Sequence, residues 1–492
     1  EVDRYEGLMR DVVKLVVDEY DGSLKAEHGT GRNMAPFVEH EWGTAAYEAM
    51  KEIKTIFDPL GIINPGVIFN DDPKCFIKNF KPLPLCEASV DKCIECGFCE
   101  VNCLTCGLTL SSRQRIVIRR EIARLEADGS NPKLLRELKR GYYYLGNMTC
   151  AGDGLCSTSC PMGINTGHLT HLVREKDAPH GGLVWTLGNL AANHLHGIKV
   201  GLRPVLTIAD TAHTVLGTGM MTGITQMLHS VGVPLWVPAM PKSHSVRPKR
   251  LQQKSFPDKV VYFPSCINQA FGVAKGSPDN TPLTDKMIAL LQKAKYEVIF
   301  PENMDNLCCG TIWESKGMPD IADRKTKELE GALWKASGEG KYPVLCDQSP
   351  CLYRMRSQIK SMKLYEPVEF IETFLVDRLD FHPTDEPIAI HTTCSMTKMK
   401  LQPCLIRLAR RCSNSVLVPA EVGCCGFAGD KGFTYPEVNK YALRKLAPQL
   451  EAAHVKTGYS NSRTCEIGLT TNGGVPYLSI VYLVDQCTTA KE

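Results

Sequence analysis

Cys93-Ile94-Glu95-Cys96-Gly97-Phe98-Cys99-Glu100-Val101-Asn102-Cys103 spaces four thiols as C-x2-C-x2-C-x3-C. Three thiolates this close can wrap one face of an iron–sulfur cubane, while the fourth turns away toward a second cluster. A later stretch repeats the spacing: Cys150, Asp153, Cys156 and Cys160 fall in the same register, with Pro161 after the last. The two sets complement each other. Cys93, Cys96, Cys99 and Cys160 would hold one 4Fe–4S cluster, and Cys103, Cys150 and Cys156 the second. Four-cysteine zinc sites use two separated C-x2-C pairs, so successive intervals of three favour iron–sulfur over zinc.

Asp153 is the departure from the pattern. A carboxylate is a harder and weaker donor to iron than a thiolate. Three outcomes stay open for the second cluster: four irons with Asp153 as a ligand, four irons with the nearby Cys106 as a ligand, or a 3Fe–4S cluster.

The chain has 492 residues, enough for about three domains at roughly one per 150 residues. Its 57 Lys and Arg against 54 Asp and Glu leave a net charge of +3 with no long basic run, which argues against nucleic acid as a partner. The 22 cysteines fall mainly in close-spaced groups, as ligands do, rather than scattered as disulfide staples. Thiols at this density point to a reducing, cytoplasmic setting. Glu1 opens an amphipathic stretch (Val2, Tyr5, Met9, Val12, Val13, Val16) without the features of a secretory signal, and the natural start is expected to lie upstream. The most apolar region, Gly182 to Met240, is broken by His194, His196, Lys199, Arg203 and Asp210. It reads as packed helices, with contact at the inner face of a membrane as the alternative.

Composition divides the chain into 1–73, 85–180, a helical linker 181–255, and two further parts, 256–380 and 381–492. The fold class expected is multidomain, α+β and α/β. The last two parts are a duplication. Cys308-Cys309-Gly310 recurs as Cys424-Cys425-Gly426; Cys266 and Cys394 precede the pairs, and Cys351 and Cys465 follow them. Strand-like runs such as Val260-Val261-Tyr262-Phe263 alternate with helical ones, which predicts α/β units. Each half would present four thiols to one iron–sulfur or redox centre. Cys75, Cys86, Cys404, Cys412 and Cys487 read as packed, non-ligating residues. Cys346 is ambiguous, because its counterpart is Ser460.

From Cys93 to Cys160 and through the two Cys-Cys-Gly repeats, the chain resembles the iron–sulfur subunit of anaerobic glycerol-3-phosphate dehydrogenase and related glycolate and lactate oxidation proteins. The repeats are also similar to those of the heterodisulfide reductase subunit that carries unusual iron–sulfur clusters. That family closes each repeat with a C-x2-C pair; here Gln348 and Ser462 replace the first cysteine. Residues 1–73 resemble the C-terminal end of FAD-linked oxidases of the vanillyl-alcohol-oxidase type. The matching residues are Ala26-Glu27-His28-Gly29-Thr30-Gly31-Arg32 and Phe57-Asp58-Pro59-Leu60-Gly61-Ile62-Ile63-Asn64-Pro65-Gly66. The order of the pieces resembles single-chain fusions of the D-lactate or D-2-hydroxyglutarate dehydrogenase type, over nearly the whole chain.

The resemblance implies an FAD- and iron–sulfur-dependent dehydrogenase of a small D-2-hydroxy acid that passes electrons to a quinone or cytochrome. It implies that His28 acts as the base at the substrate, a task suited to imidazole near neutral pH. Glu27 would hold a divalent metal, and Gly29, Gly31, Arg32 and Asn64 would bind the flavin. It also implies that the N-terminal FAD domain lies outside this chain, so that 1–492 alone would not oxidise D-lactate. Two alternatives compete: a non-enzymatic electron-transfer subunit of a separate dehydrogenase, and a thiol–disulfide reductase working at the Cys-Cys-Gly sites.

Overall fold

The computed structural model describes residues 2–25, 29–80, 83–229, 232–246 and 255–491. It divides into two compact units, Glu1–Pro84 and Leu85–Glu492. The expected class holds: the chain is multidomain and mostly helical, with parallel α/β sheets.

In the first unit, helix Val2–Lys14 runs into a π turn, Leu15–Glu19, and buries Met9 and Val13 against Leu24, Phe37 and Phe76. Two further helices, Val38–Trp42 and Thr44–Phe57, meet at Gly43, whose φ of 75° makes the bend. Asp58 then closes the last helix: its buried carboxylate accepts from the backbone N–H of Ile62 and Ile63, both at 2.9 Å, and pairs with Lys54.

The second unit opens with the cysteine-rich segment. Its helix pair is Ser112–Asp128, begun by a Ser111/Gln114 capping box, and Pro132–Tyr142, capped by Asn131. These helices bury Val90, Ile116, Ile122, Tyr142, Ile164, Leu169 and Val173 in one cluster. The Asn102 amide donates to Thr158 and Ser159, both at 3.0 Å, and so ties the two cysteine-bearing loops together.

Helices Leu183–Asn193 and Leu195–His229 follow, the second broken at Gly217 (φ 75°, ψ 169°). Among the described residues no helix is long and apolar enough to cross a membrane. The region read as a helical linker also supplies a strand, Pro241–Ser243, antiparallel to Phe271–Ala274. Three residues after a proline-rich run carry no alternation, so the pairing partner makes this strand rather than local pattern.

The repeats are copies of one fold. The first has strands β1 (Asp258–Phe263), β2 (Tyr296–Ile299), β3 (Val344–Cys346) and β4 (Leu364–Tyr365), all parallel in the order β2-β1-β3-β4. The second has β5 (Ile388–Ile390), β6 (Val416–Leu417), β7 (Thr457–Ser460) and β8 (Tyr477–Ser479), parallel in the order β6-β5-β7-β8. Strand for strand the two orders are the same. A single core spans both repeats, with Tyr262, Leu290 and Phe370 from the first packed with Ile390, Met396 and Val484 from the second. Cys351 and Cys465 lie in the first turn of helices Ser349–Gln358 and Arg463–Gly473.

Glu366 joins the repeats from inside. Its fully buried carboxyl accepts from Ser349 of the first repeat (2.8 Å), Asn461 of the second (2.6 Å) and the Val368 N–H (2.6 Å). Burial raises this carboxyl from its ordinary 4.5 to about 7. Between those values the folded chain holds a proton that the unfolded chain releases, so stability falls as pH rises through the interval and levels off above it. Glu366→Gln is expected to remove that slope, gaining up to about 3 kcal/mol over the parent above pH 7 and nothing near pH 4.5. Urea midpoints of the two proteins across that range check it.

Candidate metal centres

The first cluster-type site forms on a tight loop. Glu95 (φ 59°) and Gly97 (φ 89°) adopt left-handed turns between the cysteines, and the Glu95 N–H donates to Cys93 Sγ at 3.3 Å. Cys160, from the distant second stretch, comes close enough to act electrostatically on Cys93 and Cys99, which joins them as the interleaved spacing predicts. Cys96 is exposed beside them. Arg120 backs the loop, donating to the Cys93 carbonyl (2.9 Å) and pairing with Glu95 (2.8 Å).

The second site is a small, partly open pocket lined by Cys103, Cys150, Asp153 and Cys156, with Thr105 and Arg115 in its wall. Cys106 is not among the lining residues; its carbonyl accepts from Tyr441. Cys150 and Cys156 are buried. Burial pushes the Cys150 thiol up, but Arg115 and Arg174 outweigh it and hold the thiol below its ordinary value. Cys156 is pushed up by burial to about 11 and meets the Thr166 hydroxyl at 3.2 Å. Burial likewise raises Asp153, which accepts from the Leu155 N–H (2.8 Å) and lies near the Cys424 thiol of the second repeat.

Cationic groups crowd this site. Arg115 donates to Cys103 Sγ at 3.5 Å, Arg174 to the Cys150 carbonyl at 3.0 Å, and Lys431 to the same carbonyl at 3.2 Å. Burial pulls Lys431 down to about 7, a cost that an anion beside it would relieve. Three thiols and a carboxylate around one pocket, with cations near them, fit an anionic iron–sulfur cluster by the chemistry of the donor set. Among the described residues no three His, Cys, Asp or Glu side chains converge tightly enough to hold a single metal ion.

In each repeat the four cysteines form a row at the carboxyl ends of the parallel strands, where open α/β sheets bind ligands. Cys266 and Cys308 lie 4.0 Å apart, and Cys308, Cys309 and Cys351 are close enough to act on one another electrostatically. Cys394, Cys424 and Cys425 repeat that order, with Cys465 at 3.2 Å from Cys425. Contact with Cys308, then Cys351, draws Cys309 well below an ordinary thiol. Gly310 and Gly426 donate to Cys308 and Cys424 at 3.5 Å each. Gln348 and Ser462 bond to each other across the repeats at 3.1 Å. Cys346 is buried at the end of β3, outside the row.

In the first unit, Arg32 donates to the Pro65 carbonyl (3.0 Å) and Ile68 to the Gly31 carbonyl (3.3 Å), so the two flavin-oxidase-like segments meet. Gly29, Gly31 and Asn64 take positive φ of 80°, 64° and 45°. Glu27 and His28 lie outside the described residues. Spacing did not point to Arg115, Arg174 or Lys431, which carry no motif; folding puts Arg115 in the pocket wall and brings Arg174 and Lys431 to the Cys150 carbonyl behind it.

The family model for FAD-linked oxidases, C-terminal domain, matches residues 1–68; that for a 4Fe-4S dicluster domain matches 89–164; and that for a cysteine-rich domain matches 260–356. Three domain-family models therefore match separate segments of the chain. Residues 1–68 thus match an FAD-linked oxidase domain and residues 89–164 an iron–sulfur domain, and the cysteine-rich match covers the first Cys-Cys-Gly repeat. The FAD-oxidase domain is 43% identical over 70 residues to D-2-hydroxyglutarate dehydrogenase of Stutzerimonas stutzeri, covering 14% of this chain and 15% of that protein. It is 34% identical over 74 residues to glycolate oxidase subunit GlcD of Bacillus subtilis, covering 15% of this chain and 16% of that one. An uncharacterized FAD-linked oxidoreductase of Mycobacterium tuberculosis is 39% identical over 64 residues, covering 13% of this chain and 14% of its own length. The chain thus spans about one-sixth or less of each of these relatives.

The dicluster cavity distinguishes its two candidate fourth ligands. Cys106→Ala is expected to leave iron and sulfide content unchanged, because Cys106 stands outside the wall. Asp153→Cys is expected to alter the EPR signal of one cluster only. Metal analysis and EPR on anaerobically purified variants check both.

Proposed function

We propose that this chain is the electron-transferring portion of an FAD- and iron–sulfur-dependent dehydrogenase that oxidises a D-2-hydroxy acid, D-2-hydroxyglutarate or D-lactate, and reduces a quinone or cytochrome. The observation that carries it is the cavity lined by Cys103, Cys150, Asp153 and Cys156 in a chain that also holds an FAD-oxidase domain. Bound clusters would supply one-electron steps between a flavin, which takes two electrons from the acid, and the acceptor. The residues here do the rest. Cys93, Cys96, Cys99 and Cys160 hold one cluster; Cys103, Cys150, Cys156 and Asp153 hold the other. His28 takes the hydroxyl proton, Glu27 holds a divalent metal that orients the acid, and Gly29, Gly31, Arg32 and Asn64 line the flavin. The sulfur rows, Cys266, Cys308, Cys309 and Cys351 and then Cys394, Cys424, Cys425 and Cys465, continue the path as further iron–sulfur centres. The acceptor is met at the inner face of a membrane.

The activity for which the Stutzerimonas relative is named supports the choice of acid. The test is anaerobic addition of D-2-hydroxyglutarate or D-lactate to the natural protein carrying its flavin. Bleaching of the visible iron–sulfur absorbance by one D-acid, and not by its L-enantiomer, is expected. Clusters that no 2-hydroxy acid bleaches would overturn the substrate. A second reading, thiol–disulfide exchange, draws on the 3.2 Å approach of Cys425 to Cys465 and the depressed Cys309. Disulfide-substrate reduction lost on Cys309→Ser would favour it.

A further inference from the structure

We infer that the second dicluster site works at a higher potential than the first, and that the second Cys-Cys-Gly repeat both raises that potential and takes the electron onward. The inference rests on the iron–sulfur reading above. The two sites differ in how their cations are neutralised. Beside the first, Arg120 pairs with Glu95 at 2.8 Å and Arg113 with Glu100 at 3.2 Å. Beside the second stand Arg115, Arg174 and Lys431. Arg115 donates to the Gly146 carbonyl (2.8 Å), the Thr105 hydroxyl (2.9 Å) and Cys103 Sγ (3.5 Å). Arg174 donates to the Asn147 side chain (2.9 Å) and to the carbonyls of Asn147 (2.7 Å), Cys150 (3.0 Å) and Ser315 (2.8 Å). Lys431 donates to the carbonyls of Met148 (2.7 Å) and Cys150 (3.2 Å). Among the described residues none of these bonds ends on a carboxylate. The neighbouring Asp430 is taken by Lys316 at 2.6 Å.

Reducing a cluster adds negative charge, and cations held nearby without a counter-charge stabilise the reduced form. Burial opposes the added charge, but it also strengthens the attraction of cations that share the low dielectric. Asp153 replaces one anionic ligand by another, so it does not offset the three. Lys431 comes from the second repeat, just past Gly426, and the same repeat brings Cys424 near Asp153. Tyr144 donates to Glu437 (2.7 Å) and Tyr441 to the Cys106 carbonyl (3.0 Å), which fixes that face in place. With clusters bound, the site of Cys93, Cys96, Cys99 and Cys160 would give up one electron and that of Cys103, Cys150, Cys156 and Asp153 would take it, with Asp153 beside Cys424 as the exit to the iron–sulfur centre proposed for the second repeat.

An EPR-monitored redox titration of the anaerobically purified chain tests this, with the second cluster identified as the one whose spectrum changes in Asp153→Cys. The second cluster should titrate above the first. Lys431→Met should lower only the second, cutting its reduced-to-oxidised ratio at fixed potential about tenfold, or about 59 mV for one electron. Lys431→Arg should restore it. A second cluster below the first in the parent protein overturns the inference, whatever the variants do. So does a Lys431→Met shift that is shared equally or absent. Protein without iron would instead refute the iron–sulfur reading itself.

Discussion

Cys150→Ser is expected to cost the protein one of its two clusters, with iron and acid-labile sulfide per chain falling by about half. The substitution changes little volume, so the effect comes from the lost ligand. Cys150 is buried, its sulfur accepts from the Gly152 N–H at 3.4 Å, and Arg115 and Arg174 hold it toward the thiolate that iron requires. Without that thiolate, Arg115 in the pocket wall and Arg174 behind it have less negative charge to meet. Because cluster binding is also folding free energy, anaerobic melting should shift downward together with the iron content. Unchanged iron in this variant would remove Cys150 from the ligand set.

Gly310→Ala is expected to destabilise the repeat pair by about 3 kcal/mol. Gly310 sits at φ 88°, and a Cβ there would lie 2.3 Å from the Ala322 carbonyl oxygen and 3.0 Å from Arg354 Nε. Helix Pro319–Ala336 supplies that oxygen and cannot retreat, since the Ile321, Ala322, Leu329 and Leu333 side chains are packed in the core beneath it. Arg354 donates to the Cys309 carbonyl at 3.0 Å, so displacing it also disturbs the sulfur row. Gly426→Ala should be milder, about 2 kcal/mol, because its nearest obstacle is the Val438 carbonyl at 2.9 Å. Gly331→Ala is the control: it lies inside the same helix with nothing within 4 Å and should stabilise by about 0.5 to 1 kcal/mol. Urea unfolding of the three variants gives the order directly.

Local features made part of this architecture legible in the sequence. Cysteines at intervals of three announced the cluster loops, and a pair of identical Cys-Cys-Gly segments announced the duplicated sheets, because both are contiguous signals. What escaped depends on chain segments that meet only after folding. Lys431 reaches the Cys150 carbonyl from 281 residues away. Gln348 meets Ser462 across the repeats, 114 residues away, so their place in the fold is a joint between halves. The strand Pro241–Ser243 likewise exists through its partner Phe271–Ala274, and its own three residues say nothing of it.

Everything rests on thiols from the two ends of the dicluster segment interleaving around iron and sulfide. Iron and sulfide analysis of anaerobically purified chain, with EPR after chemical reduction, reads this most directly. Two cluster signals from brown protein, one of them changed by Asp153→Cys, are predicted; colourless protein containing zinc, or no metal, would contradict the account.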